Sequence, residues 1–332
     1  MSRSVEDSAV VITGASSGIG RATAQAFARE GATLVLAARR EEALAEAVHE
    51  CEAAGGKAEA VRTDVTDQGE VEALARRAIE SCGRIDTWVN CAAVSLFARF
   101  EEAPPEVYRR VIDTNFFGVI HGARAVLPYF REQGEGVLIN VSSIVSSAPQ
   151  PYTSAYVASK YAIRGFSESL RMELSLDDVG IEVVHLMPAS IDTPLFQNAA
   201  NYTGRRVKAL DPVISPHRVA DAIVRAARKP KAEIAVGASG RMMAAHRSTS
   251  RWSYERTASR MVDREHFQDW PAARSRGNLF EPQPGSASVE GGWSDGNSEG
   301  GGSGRAIAAT AAVALIPLLI WGWKRHRNRS LF

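Results

Sequence analysis

What the sequence lacks narrows what it can be. Cysteine is scarce: Cys51, Cys82 and Cys91 are the whole set. An odd number with no C-x-x-C pair leaves no disulfide framework and fits a reducing compartment. Charge of one sign is missing too. Lys and Arg number 39 against 38 Asp and Glu, a formal net charge of +1, which argues against a nucleic-acid footprint over the whole protein. The start, MSRSVEDSAVVITG, has no long apolar stretch of the secretory-signal kind, so the N-terminal domain is expected in the cytosol. His185 and His217 stand in no metal-ligand spacing and read as structural, and no metal site is expected.

What is present is a core. The 332 residues are 45% apolar, enough for one large α/β domain with an appendage or for two small domains. From Val10 to about Val236, short apolar runs alternate with segments of helical length and period. The runs are VVITG, TLVLAA, AEAVRTD, DTWVN, VLINVSS, EVVHLMP and EIAVG. Helices are predicted at Glu41–Ala54, Asp67–Ser81, Pro105–Arg131, Tyr152–Ser175 and Pro216–Arg228. Such alternation implies a seven-stranded, doubly wound parallel sheet with helices on both faces.

Composition changes after residue 239. Residues 240–276 are rich in Arg, Met and aromatics, with Arg247, Arg251, Arg256, Arg260 and Arg264 at spacings of four or five. This reads as a helical extension, either lying on an acidic surface or simply solvated. Residues 277–304, full of Gly, Ser, Pro and acids, read as a flexible linker. Residues 305–332 then carry AIAATAAVALIPLLIWGW, 18 residues without a charge, followed by Lys324, Arg325, Arg327 and Arg329. As a helix that run would span about 27 Å at 1.5 Å per residue, close to the hydrocarbon thickness of a bilayer. Its terminal tryptophans and basic flank predict a hydrophobic membrane-anchor helix, with lipid as a partner and the catalytic domain in the cytoplasm.

TGASSGIG joins the first run to a helix. Gly14 permits a tight turn, while Gly18 and Gly20 remove side chains that would block a pyrophosphate and the helix behind it. Ser16, Ser17 and Ile19 complete the turn, and the helix N-terminus favours an anion. The second run ends at Ala38, 18 residues after Gly20, where an acid would accept hydrogen bonds from the ribose of NAD. Arg39 and Arg40 follow instead. A guanidinium binds a 2′-phosphate that an acid would repel, so NADP(H) is favoured over NAD(H).

SAYVASK places Tyr156 and Lys160 four apart, on one face of a helix. A free phenol has a pKa of about 10, and a nearby ammonium is expected to lower it toward neutrality, which makes the pair a candidate acid/base.

With TGASSGIG, DVTD, NCAA, Asn115, NVSS, YVASK and PASIDTP in order over about Ser8 to Gly237, the chain resembles the short-chain dehydrogenase/reductases. The resemblance implies a Rossmann fold, a nicotinamide cofactor and an enzyme interconverting carbonyls and alcohols. It implies that Tyr156 is the acid/base, and that Lys160 binds the nicotinamide ribose and lowers the tyrosine pKa. Ser143 holds the substrate oxygen, and Asn115 holds a proton-relay water. Asp64 and Val65 contact the adenine, Asn90 opens the cofactor-side motif, and Pro188, Ile191 and Thr193 belong to the nicotinamide side. Ser142 stands one place too early and reads as structural. Ala93 and Ala189 replace two usual glycines with another small residue. A homodimer or homotetramer through the helices carrying Asn115 and Tyr156 is implied as well. The substrate, a small-molecule carbonyl or alcohol, is expected against residues 194–216, where Leu195, Phe196 and Tyr202 suit an apolar ligand. The alternative is a membrane-tethered NADP(H)-binding scaffold or redox sensor without turnover.

Overall fold

The structure, a computed structural model, describes residues 3–283, 285 and 287–294. The expected anchor run lies outside the described residues. Among the described residues no helix is long and apolar enough to cross a membrane.

Eleven strands are described: β1 (Ala9–Thr13), β2 (Thr33–Ala38), β3 (Lys57–Arg62), β4 (Thr87–Asn90), β5 (Leu96–Phe97), β6 (Glu135–Val141), β7 (Gly180–Pro188), β8 (Ala200–Asn201), β9 (Arg205–Val207), β10 (Glu233–Val236) and β11 (Phe267–Pro271). The helices are α1 (Gly18–Arg29), α2 (Glu41–Ala53), α3 (Gln68–Cys82), α4 (Pro105–Ile112), α5 (Gly118–Gln133), α6 (Ser154–Ser175), α7 (Leu195–Asn198), α8 (Pro216–Arg228), α9 (Ala238–Thr249) and α10 (Arg251–Glu265). The seven expected apolar runs form one parallel sheet in the order β10-β7-β6-β4-β1-β2-β3. Strand order reverses between β1 and β4, so a crevice opens above their carboxyl ends.

The sheet is buried on both faces because successive side chains point opposite ways. Ile12, Leu34, Leu36, Ile139 and Val184 pack on one face with Phe27 and Ile223. Val11, Val35, Leu138 and Val183 pack on the other with Trp88, Leu74 and Phe130. Each such aliphatic or aromatic side chain contributes roughly 1.5–3 kcal/mol on burial. That two-sided burial is why β1, β2, β4, β6 and β7 read as apolar runs, while the edge strands β3 and β10 are more exposed and carry charged residues.

The single helix expected over Pro105–Arg131 is divided. Between α4 and α5, Asp113–Phe117 forms a π turn, and Asn115 is wholly buried within it. The Asn115 side chain bonds both backbone groups of Val94, accepting from its N–H at 2.8 Å and donating to its carbonyl at 3.0 Å. This clamp occupies the widened turn.

Residues 240–276 do not lie on an acidic surface. They form α9, α10 and β11 and pack into the body. One face of α10 buries Tyr254, Ala258 and Val262, and the Tyr254 hydroxyl donates to the Pro149 carbonyl at 2.9 Å. Strand β11 pairs antiparallel with β9. The described part of the expected linker also differs from a free tether. Leu279 is fully buried beside Val94, Val107 and Tyr156, and the carbonyls around it accept hydrogen bonds from the body.

Candidate active site

The site begins at the turn between β1 and α1. Gly14 has φ of +70°, and a Cβ there would lie 2.7 Å from the Cα of Ala92. A Cβ on Gly20 would lie 2.2 Å from the Gly14 carbonyl oxygen. Only glycine fits either place, and the bare backbone leaves a cradle at the helix N-terminus that fits a pyrophosphate. Ser16, Ser17, Gly18 and Ile19 line the cleft above it, and Arg39, Arg40, Asp64, Val65, Lys160 and Thr193 line it further along.

Arg39 and Arg40 do not pair with the neighbouring Glu41 or Glu42. Arg39 donates to the carbonyls of Asn278 at 2.6 Å, Leu279 at 3.1 Å and Phe280 at 3.0 Å. Arg40 donates to the Gln283 carbonyl at 2.7 Å. Burial pulls the Arg39 guanidinium below its ordinary pKa, with Asp64 opposing. Asp64 accepts from the Thr66 backbone and hydroxyl and from Arg110, at 3.0, 2.8 and 2.7 Å. Burial raises this carboxyl, but those bonds outweigh it and hold Asp64 below the usual carboxylate range. The Val65 carbonyl lies 2.9 Å from His121 Nδ1.

Asn90 is not on the cleft surface. It is buried, accepting from Trp88 Nε1 at 2.8 Å and donating to Asn140 at 2.9 Å, and Asn140 donates to Ser167. This chain of satisfied amides locks the floor of the crevice.

Helix α6 carries Tyr156 and Lys160 on one face, and the Ser159 hydroxyl between them donates to the Tyr156 carbonyl at 2.7 Å. Asn115 donates to that Ser159 hydroxyl at 3.2 Å. Lys160 Nζ donates to the Val141 carbonyl at 3.1 Å and lies 5.3 Å from the centre of the Tyr156 ring. Burial pushes the Tyr156 hydroxyl up to about 12, with the Ser143 hydroxyl beside it pulling down. Burial also lowers Lys160 to about 8. The expected lowering of the Tyr156 pKa by Lys160 is therefore not what the structure gives. The ammonium does not touch the phenol oxygen, and desolvation wins. Ser142 donates to the Lys160 carbonyl at 3.3 Å, a structural contact.

On the far side of Tyr156 a second cavity of about 730 Å³ opens. Ser143, Pro188, Ile191 and Thr193 line it, as do Leu195 and Phe196 from the segment expected to meet substrate. Tyr202 does not line it: it packs beside Val94 and Val107 instead. Tyr156, Ile19, Ser142, Thr193 and Leu195 border both hollows.

Several wall residues escaped sequence reasoning. Met242 and Met243 from α9, Met261 from α10 and the buried His266 face the larger cavity. His266 Nδ1 lies 2.6 Å from the Lys208 carbonyl, and its ring meets Phe97 and Phe196 edge-on. Asp192 accepts from the backbone N–H groups of Gly291, Trp293 and Ser294 at 3.0, 2.9 and 3.0 Å. The richness of residues 240–276 in Met was a usable signal. The tail contacts left none in composition.

Residues 8–203 match the short chain dehydrogenase family. The chain is 39% identical over 244 residues to an uncharacterized oxidoreductase, YxnA, of Bacillus subtilis, covering 73% of this chain and 68% of that protein. It is 35% identical over 242 residues to dehydrogenase/reductase SDR family member 7B of Bos taurus, covering 69% and 73%. Among solved structures, a short chain dehydrogenase/reductase from Burkholderia phymatum in complex with NAD superposes with a TM-score of 0.68 at 26% identity, over 76% of this chain and 97% of that one. An alcohol dehydrogenase from Thermococcus sibiricus complexed with 5-hydroxy-NADP gives 0.60 at 28% identity, over 69% and 95%. The chain belongs to the short chain dehydrogenase family and is an oxidoreductase acting on CH–OH groups.

Proposed function

We propose, from that membership and from the two hollows that meet at Tyr156, that the protein uses NADP(H) to interconvert a carbonyl and an alcohol on a sizeable apolar substrate. The observation that carries the reading is the position of Tyr156: it borders the glycine-floored cleft on one side and the 730 Å³ cavity on the other. A group at that junction can pass a proton to a substrate whose carbon faces the cleft.

The fit to a nicotinamide dinucleotide rests on the cradle at Gly14, Gly18 and Gly20, with Asp64 and Val65 toward the adenine and Thr193 and Ile191 toward the nicotinamide. Arg39 and Arg40 supply two guanidinia for a 2′-phosphate. When bound, the nicotinamide supplies or takes up the hydride. Tyr156 holds the proton. Its burial keeps the phenol protonated across the working pH range, so it serves reduction as the acid. Ser143 steadies the substrate oxygen, Lys160 offers a buried cation nearby, and Asn115 fixes the surrounding backbone through Val94 and Ser159.

The larger cavity supports an apolar substrate. Ile144, Val145, Leu195, Phe196 and three methionines face it, and methionine adapts to irregular chains. A panel of aliphatic and aromatic ketones and aldehydes with NADPH tests this. Consumption of NADPH that rises with apolar size supports the reading, and no turnover on any member would overturn it.

The anchoring of residues 306–323 in a membrane rests on their sequence. Sedimentation of the full chain with vesicles, resistant to high salt, is the expected outcome. Assembly through α5 and α6 rests on family resemblance.

A further inference from the structure

We propose that the segment 277–283 and 287–294 is an internal competitor of the cofactor, a strap that must lift before NADP(H) can bind. The inference rests on reading the glycine-floored cleft as the cofactor site.

The strap takes the donors a dinucleotide needs. Three of its carbonyls fill the fork of Arg39, and a fourth takes Arg40. At the other end of the cleft the Gly18 N–H donates to the Ser288 carbonyl at 3.0 Å, and Arg21 donates to the Ala287 carbonyl at 2.6 Å. The groups read as binding the 2′-phosphate and the pyrophosphate thus both serve neutral carbonyls of the same chain.

Space gives the same answer. With the strap in place the cleft from Gly14 to Lys160 measures about 200 Å³. Sites for drug-sized ligands hold about 300–1,000 Å³, and a dinucleotide is no smaller than such ligands. A separate hollow of about 940 Å³ lies outside the strap, between it and α2. Arg39, Arg40 and Pro282 border both hollows, so the strap is the partition between them. A molecule reaching from Arg39 to Gly18 has to pass where the strap runs.

Beyond its bonds to Arg39, Arg40, Gly18 and Arg21, the contact has two side-chain anchors. Leu279 is buried beside Val107 and Tyr156. Asp192 collects the amides of Gly291, Trp293 and Ser294, and Trp293 meets Phe196 edge-on with ring centres 5.9 Å apart. Glycine is required at the far anchor: a Cβ on Gly291 would lie 2.4 Å from the Thr193 carbonyl oxygen. A phosphate meets the Arg39 and Arg40 guanidinia as an opposite charge in forked, bidentate geometry, which a neutral carbonyl does not offer. The cofactor can therefore displace the strap, at a cost in apparent affinity equal to the fraction of chains with the strap lifted.

The test uses the full chain and NADPH. Amide hydrogen exchange at Gly291, Trp293 and Ser294 should rise about tenfold or more when NADPH saturates the protein, because strap and nucleotide exclude each other. Gly291→Val should loosen the strap and tighten the NADPH dissociation constant, read by calorimetry, by about tenfold if the strap is lifted in a tenth of wild-type chains. Exchange that slows or stays level with NADPH, or a variant that binds NADPH equally or more weakly, overturns the proposal. The exchange measurement on the wild type decides if the variant fails to fold. Binding of NADPH with unchanged exchange sinks only the strap, whereas no binding of NADPH or NADH by either chain sinks the cofactor reading and this inference together.

Discussion

Lys160 Nζ lies 5.3 Å from the centre of the Tyr156 ring, and its hydrogen bond goes to the Val141 carbonyl, not to the phenol. Burial has moved the two groups in opposite directions, Tyr156 up to about 12 and Lys160 down from 10.5 to about 8. The acid is thus protonated throughout, and the titrating group near working pH is the lysine. Below about pH 8 Lys160 is charged, and above it the charge is lost. The reductive kcat/KM should hold up to about pH 8 and fall beyond it, and Lys160→Met should remove that limb along with most of the rate. A profile flat to pH 10 would contradict this assignment.

Arg39→Asp replaces a phosphate partner with a repelling charge. A charge-assisted hydrogen bond is worth about 1.5–3 kcal/mol, so the preference for NADPH over NADH should fall tenfold or more. The substitution also loosens the strap, but that change affects both nucleotides alike and cancels in the ratio of their kcat/KM values. A wild type that already prefers NADH would dispose of the role given to Arg39.

The apolar cavity makes a graded prediction. Each methylene buried contributes about 0.8 kcal/mol, close to fourfold in kcat/KM. Activity on straight-chain aldehydes should climb with length. Met261→Trp should fill the cavity from α10, flatten the climb and leave the shortest aldehydes nearly unaffected.

Much of this was legible in the sequence, and the exceptions share a cause. Strands β1, β2, β4, β6 and β7 stood out because burial on both faces makes them apolar runs, whereas the more exposed edge strands β3 and β10 stood out by their place in the strand–helix alternation. The glycine turn, Tyr156 and Lys160 stood out because each needs a particular side chain at a particular spacing. The π turn at Asp113–Phe117 did not. Within it Asn115 clamps Val94, 21 residues away, and local composition carries no trace of that contact. Residues 277–304 read as a tether because they are rich in Gly, Ser, Pro and acids. The docking of 277–283 and 287–294 runs largely through backbone carbonyls and amides, which every sequence possesses. The arginines of α10 likewise drew notice from Tyr254 and Ala258, the side chains that bury the helix.

Two buried imidazoles give a stability signature. Burial lowers His185 to about 4, with Arg164 and Arg171 adding to it, and burial lowers His266 to about 4 against the Lys208 carbonyl. The ordinary value is 6.5, so between pH 6.5 and 4 the unfolded chain takes up protons that the folded one refuses. Stability should be full above pH 6.5 and lost as pH falls toward 4. Thermal melting across that window should show the decline, and His185→Phe should make it shallower. An unchanged Tm from pH 7 to 4.5 would refute the coupling.

The central claim is that Tyr156 delivers the proton in a carbonyl reduction. The most direct measurement compares wild type and Tyr156→Phe, side by side, for NADPH binding and for NADPH-dependent reduction of the best substrate in the carbonyl panel. The substitution keeps the ring in place and removes only the acidic hydroxyl. General acid catalysis is worth about 10²–10⁴, so turnover should fall by at least a hundredfold while the NADPH dissociation constant changes by less than about threefold. Turnover by Tyr156→Phe within a few-fold of wild type would contradict the account.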